Sequence, residues 1–168
     1  RVDIDTFFYP LDAIDNWNKV YGKKGFIQYQ FILPKEVSFK GLGNVLKEIS
    51  SSGKGSFLAV LKLYGKDNNN YLSFPMEGYS LALDFKIEKG LFELLDKLDG
   101  IILKYGGRIY LAKDARVKKE VFEQGYPRIG KFRALRKKYK MSEKHSIEAL
   151  MCWLAYRDSK YVLIRNSF

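Results

Sequence analysis

The chain has 168 residues, with 30 Lys/Arg against 19 Asp/Glu and a formal net charge of +11. Hydrophobic residues make up 46% and aromatics 15%, which excludes a mostly disordered chain, and the length suits one domain with a real core. The single cysteine, Cys152, excludes an internal disulfide, no apolar run is long enough to span a bilayer, and the start lacks signal-peptide character.

Opening at Arg1, the chain reads as a piece of a longer product. Residues 1–10 bring Phe7, Phe8, Tyr9 and Pro10 together and read as an extended lead-in. From Asp12, the residues Ile14, Trp17, Val20 and Tyr21 recur at helical spacing until Gly22 and Gly25. Phe26–Leu33 alternates as a strand, with Ile27, Tyr29, Phe31 and Leu33 on one side and Gln28 and Gln30 on the other. Residues 35–52 return to helical spacing through Phe39, Leu42, Val45, Leu46 and Ile49. Phe57–Tyr64 is a second strand with Val60, Lys62 and Tyr64 on its even face, followed by a polar loop, Gly65–Asn70, with nothing to bury.

Tyr79–Ile87 shows the strictest alternation: Tyr79, Leu81, Leu83, Phe85 and Ile87 against Ser80, Ala82, Asp84 and Lys86. A helix over about 90–105 carries Leu91, Leu94, Leu95, Leu98, Ile101, Ile102 and Tyr105 on one stripe, and the Gly106-Gly107 pair stops it. Arg108–Ala112 is the last strand, with Tyr110 opposite in direction to Ile109 and Leu111, and Lys113 standing just past its end. Short helices are expected over Val117–Gln124 and Gly130–Lys140, a further one after Met141, and a short strand at Tyr161–Arg165.

The order β-α-β-β-α-β predicts an α+β, ferredoxin-like (split βαβ) fold, with an antiparallel sheet, helices on one face and a basic helical extension. The chain is expected to divide into a lead-in and short helix (1–25), the split βαβ unit (26–112), a basic helical return (113–140) and a tail of open role (141–168). The helices would cover the odd-numbered side of the sheet. The other side then carries Gln28, Gln30, Val60, Lys62, Tyr64, Ser80, Ala82 and Tyr110. Amides, a lysine, tyrosines and small side chains suit a ligand-facing wall; a merely solvated sheet face is the plainer reading, and pattern leaves both open.

Charge is concentrated late in the chain. Residues 104–144 hold 14 of the Lys/Arg and 4 of the Asp/Glu, leaving 16 and 15 elsewhere, so almost all the excess lies there. Such a block points to an anionic partner (a phosphate-bearing ligand, nucleic acid or acidic lipid) unless it is only a solvated helix face. His145 is the single histidine, seven residues from Cys152 and so about 10 Å along a helix, which speaks against a Cys/His dyad or a His-rich metal site. No phosphate-binding glycine loop, nucleophile elbow or dinucleotide fingerprint occurs. The chain offers binding groups without a catalytic engine of its own.

Several motifs together carry a resemblance: Phe8-Tyr9-Pro10-Leu11-Asp12, Trp17-Asn18, Tyr21-Gly22 followed by Gly25-Phe26-Ile27-Gln28-Tyr29-Gln30-Phe31, Ser56-Phe57-Leu58, Leu72-Ser73-Phe74-Pro75, Asp84-Phe85, and the run from Gly106 through Arg116 to Tyr126-Pro127-Arg128. Over roughly residues 7–140 the chain resembles the C-terminal substrate or cap domain of FAD-linked oxidoreductases of the vanillyl-alcohol-oxidase type. The resemblance implies an FAD-binding domain, in the same or a partner chain, that holds most of the cofactor, with this part lining the substrate pocket over the flavin. It implies Lys113 as the catalytic residue, with Gln28, Gln30, Lys62 and Tyr110 lining the pocket; Ser80 and Ala82 depart from related sequences, which leaves the sugar open. The implied substrate is an anionic sugar-phosphate or polyprenyl-phosphate sugar whose hydroxyl carbon is oxidised. The chain alone is expected to be inactive, and to lie in the cytoplasm or at the periphery of the inner membrane. The rival reading is an RNA- or anionic-lipid-binding module; against specific RNA recognition, the third strand places its aromatics on the odd, core-directed side.

Overall fold

The fold is that of a computed structural model, which describes residues 2–9, 15–113, 116–139 and 141. The expected tail, with His145 and Cys152, falls outside the described residues apart from Met141. In chain order the elements are α1 (Ile4–Phe8), α2 (Trp17–Val20), β1 (Phe26–Pro34), α3 (Lys35–Ser51), β2 (Ser56–Tyr64), β3 (Gly78–Lys86), α4 (Leu91–Lys104), β4 (Arg108–Ile109), α5 (Lys119–Gly125) and α6 (Ile129–Lys138).

The four strands pair antiparallel in the order β2-β3-β1-β4, which is the split βαβ arrangement the element order implied. β1 and β3 are the inner strands and stay in register for nine residues, from Phe26 opposite Lys86 to Pro34 opposite Gly78. That register fixes which side chains share a face, because paired residues of antiparallel strands point the same way. Tyr29, Phe31, Leu81, Leu83 and Phe85 lie under α3 and α4, packed with Val45, Leu91, Leu95, Leu98 and Ile102. Burying such side chains contributes about 1.5–3 kcal/mol each.

The end of α4 shows how local chemistry sets the sheet edge. Gly106 takes φ 71°, its N–H bonds to the Leu103 carbonyl, and the Gly107 N–H reaches back to Ile102. This paired closure needs a residue tolerant of left-handed backbone, and glycine supplies it. Gly107 then runs so close to Ile32 and Leu33 that a Cβ would collide with both.

Three local expectations are corrected. Residues 4–8 are helical rather than extended: the Asp3 carboxylate accepts the Asp5 N–H at 3.0 Å, and the Phe7 N–H bonds to the Asp3 carbonyl. An acceptor side chain at the start of a helix satisfies donors that would otherwise be unpaired. The last strand is shorter than Arg108–Ala112: after one further bond, Tyr110 N–H to the Gln30 carbonyl, the chain turns and the Lys113 N–H bonds to the Tyr110 carbonyl. Lys113 therefore stands on a turn. Finally, the face opposite the helices is partly covered. The stretch after β2 crosses it and buries Phe74 and Met76 on Ile32, with Tyr64 and Tyr110 packed at the sides. The polar loop Gly65–Asn70 leads directly into this cover.

Candidate functional site: an open half-face of the sheet

Gln28 pairs with Asp84, Gln30 and Val60 both pair with Ala82, and Lys62 pairs with Ser80. All the strand residues expected on the ligand side are therefore on one face, opposite the helices. The cover divides that face. At one end Ile32, Tyr64 and Tyr110 meet Phe74 and Met76; the Phe74 and Tyr110 rings lie 4.5 Å apart and the Tyr64 ring meets Phe74 edge-on. Ser80 is wholly buried there and accepts a 3.1 Å hydrogen bond from Gln30 Nε2, leaving Gln30 itself only 5% exposed. Tyr64 and Tyr110 thus pack partly into a second small core, and Ser80 is buried with its hydroxyl engaged by Gln30. The reason is aromatic packing: Phe74 gains more against two tyrosines than against water.

The other half stays open. Its floor is Val60 and Ala82, with the Gln28 amide beside them and Lys62 exposed on the edge strand. Its far wall is Tyr21, completely buried although it comes from the segment after α2. Its ring stacks on Phe26 at 4.3 Å and meets Phe57 edge-on. The Tyr21 hydroxyl donates to Asp84 at 3.2 Å. Asp84 is only 3% exposed, and burial pushes its carboxyl above the usual range, against the opposing pull of Gln28, Tyr21 and the Lys113 ammonium. A buried carboxylate survives only with such partners.

Asp84, quoted from sequence only within a motif, was not among the expected ligand-facing residues, although its even number placed it on that face. Lys113 is exposed, on the turn after β4, near enough for its charge to act on Asp84. On the opposite side of the sheet Arg116 fixes the return of the chain, bonding to Asp99 at 2.6 Å and Asp96 at 2.9 Å, while Tyr29 donates to Asp99 at 2.7 Å. Arg108 ties down the cover through a 2.8 Å bond to the Ser73 carbonyl, and Arg128 does so through the Asn68 carbonyl and Asp67. Among the described residues, no group of three or more His, Cys, Asp or Glu is arranged to hold a metal ion, and no helix is long and apolar enough to cross a membrane.

The fold is a ferredoxin-like α+β domain, and the comparisons point to part of an oxidase. Over 135 residues, 80% of the chain, it is 42% identical to decaprenylphosphoryl-beta-D-ribose oxidase of Mycolicibacterium smegmatis. It is also 35% identical over 96 residues to a protein of Streptomyces coelicolor described only as an uncharacterized protein in the mprA 5'region. The resemblance to part of an FAD-linked oxidoreductase is therefore shown. The chain spans 29% and 26% of the lengths of these two relatives. No family model matches it.

Proposed function

We propose that this chain is the substrate-facing cap of an FAD-dependent oxidoreductase that oxidises a sugar hydroxyl, the sugar being carried on phosphate or polyprenyl phosphate. The observation that carries the reading is the open half-face, where Gln28 and Asp84 stand opposite one another beside a low floor of Val60 and Ala82, in a chain 42% identical to an oxidase. A small apolar floor beside an amide, with Lys62 exposed on the edge strand, would suit a hydroxyl-rich substrate. FAD itself would be held mainly by a domain outside these residues. When bound, the flavin would accept the hydride; this chain's residues would bind, orient and balance charge. Gln28 would hold the sugar by hydrogen bonds, with Lys62 at the rim, and Lys113 would stabilise negative charge on the sugar oxygen, the flavin or the phosphate.

The RNA-binding reading is disfavoured by the same geometry. Tyr64 and Tyr110 are both partly buried against Phe74, which reduces the ring surface left for bases to stack on. The test is reduction of the flavin by substrate in the complete flavoprotein, followed by loss of the absorbance near ~450 nm. Lys113→Ala should slow reduction at least about 100-fold, in line with loss of one electrostatic stabiliser. Lys118→Ala, which removes a solvent-exposed partner of Asp96, should leave it near the parental rate. Parental rates in both variants with FAD bound would overturn the assignment.

A further inference from the structure

We infer that the outer face of α6 is a lipid-contact surface, which seats the domain on a bilayer containing acidic phospholipids. The inference stands on α6 and its surroundings; the proposed lipid-borne substrate would only explain its use. Residues 128–140 hold seven Lys/Arg and no Asp/Glu. The 3.6-residue repeat sorts them around the helix. Ile129 faces the core and is buried, and Phe132 and Arg136, three and seven residues on, share its side and are half-buried. Lys131, Ala134, Leu135 and Lys138 fall on the outer side and are exposed, with Tyr139 exposed at its border. Arg128 pairs with Asp67 and Arg133 with Glu123, whereas Lys131, Lys137 and Lys138 have no acidic partner among the described residues.

Apolar groups are interleaved with these lysines. Leu135 is 40% exposed, Tyr139 65% and Met141 57%. Leu135 and Tyr139, four residues apart, are neighbours on the helix surface. The Met141 N–H bonds to the Arg136 carbonyl, which folds the chain back and puts Met141 beside the same turn. The apolar flank continues through Phe132 into an open cleft of about 660 Å3 against Tyr71 and Leu72 of the cover. Arg128 ties the start of α6 to the Asn68 carbonyl and Asp67, so the helix presents this face in a fixed direction. Charge and apolar surface together decide the partner. A nucleic acid would use the cations and stack on the tyrosine ring, but would leave Leu135 and Met141 in water. A bilayer with anionic headgroups takes both. The lysines draw it in, each worth about fivefold, and the aliphatic side chains and the ring enter the headgroup boundary. With ten residues, α6 is about 15 Å long, so it lies along the surface and the contact is reversible.

The test is sedimentation of the 168-residue chain with vesicles of phosphatidylcholine alone, and of phosphatidylcholine mixed with phosphatidylglycerol. The chain should pellet with the mixed vesicles only, and be released as salt rises. Lys131→Gln with Lys138→Gln should weaken partitioning about 30-fold, at about fivefold for each cation. Lys23→Gln with Lys24→Gln removes the same charge from an exposed stretch before β1, and should change it less than about twofold. Leu135→Ala with Met141→Ala keeps every charge and should weaken it at least about tenfold. All six positions are exposed, so far-UV circular dichroism should not change; if the apolar pair fails to fold, the two lysine pairs decide. No pelleting with mixed vesicles, equal loss from both lysine pairs, or parental binding by the folded apolar variant overturns the inference. So does single-stranded RNA that displaces the vesicles and binds the apolar variant as tightly as the parent, which would make α6 a nucleic-acid surface. Flavin reduction that depends on Lys113, without vesicle binding, would overturn this inference alone. Vesicle binding with unaltered flavin reduction by Lys113→Ala would sink the pocket assignment and leave this one standing.

Discussion

Arg116 and Asp99 form a 2.6 Å ion pair on the helix-covered side of the sheet, three residues beyond Lys113, whose charge acts on Asp84 at the opposite face. Just past the end of β4, one basic residue is thus anchored beneath the sheet, while Lys113 on the preceding turn is exposed. Tyr29 completes the anchor from the centre of β1, through its hydroxyl on Asp99 and its ring beneath the Arg116 guanidinium. Removing Arg116 would leave Asp99 buried with its charge largely uncompensated. Arg116→Met should cost about 3–5 kcal/mol, the usual penalty for breaking a buried pair from one side. Lys118→Ala, at an exposed pair with Asp96, should cost less than ~1 kcal/mol. Urea unfolding followed by far-UV circular dichroism distinguishes the two.

Asp84 also makes a signed prediction for stability against pH. Its carboxyl holds a proton more tightly in the folded chain than at the ordinary value of 3.8, because burial penalises the charge more than Gln28, Tyr21 and Lys113 compensate. Protonation therefore favours the fold. The stability this group contributes is greatest below the ordinary value, is lost as pH rises through the raised one, and stays level above it. Asp99 is raised by burial as well, opposed by Arg116 and Tyr29, and acts in the same direction. Asp84→Asn should flatten its share of that slope in unfolding free energies measured between pH 3 and 7 at roughly constant ionic strength. An unchanged slope would mean that Asp84 does not titrate in this range.

The inner sheet was legible because its signals are local. Strict alternation from Tyr79 to Phe85 sets which side chains go under the helices, and the glycine pair after Tyr105 marks the end of α4. The divided face was not, and the reason is distance along the chain. Phe74 lies in a stretch without period, Leu72-Ser73-Phe74-Pro75, and only the folded chain brings it to Ile32 and Tyr110. Asp84 alternates like an exposed residue; its burial comes from Tyr21, 63 positions earlier. Periodicity reports the direction of a side chain and cannot report what a remote segment lays over it.

Two glycines, one opening β3 and one just before β4, should prove far more demanding than one in a helix. A Cβ on Gly78 would run into the Leu33 carbonyl of the neighbouring strand, and one on Gly107 into Ile32 and Leu33. Neither obstacle can rotate away, since both include backbone. Gly78→Ala and Gly107→Ala should each cost about 3 kcal/mol or more, as forced overpacking does. Gly43, exposed in α3 with nothing near its missing Cβ, should behave oppositely. Gly43→Ala should gain about 0.5–1 kcal/mol by reducing the entropy of the unfolded chain and favouring the helix. Thermal unfolding of the three variants checks the contrast in sign.

The cover over the second face should be separable from the main core. Phe74 is buried between Tyr64 and Tyr110 on the floor of Ile32, with Met76 beside it, and contributes nothing to the helix-covered side. Phe74→Ala removes most of that small cluster, so a loss of about 3–5 kcal/mol is expected if cover and sheet unfold together. The cover is also tied by Arg108 to Ser73 and by Arg128 to Asn68 and Asp67, bonds that the substitution leaves chemically intact. Amide exchange should therefore accelerate first in residues 65–77 and around Tyr110, while the β1–β3 amides, held by nine paired residues and the main core, remain the slowest to exchange. The Gln30 to Ser80 hydrogen bond is buried on the same face, and its exchange reports whether opening the cover reaches the inner strands. Uniform acceleration through β1 and β3 would show instead that the two faces form one cooperative unit, and that the open half-face owes its shape to the cover as much as to the strands.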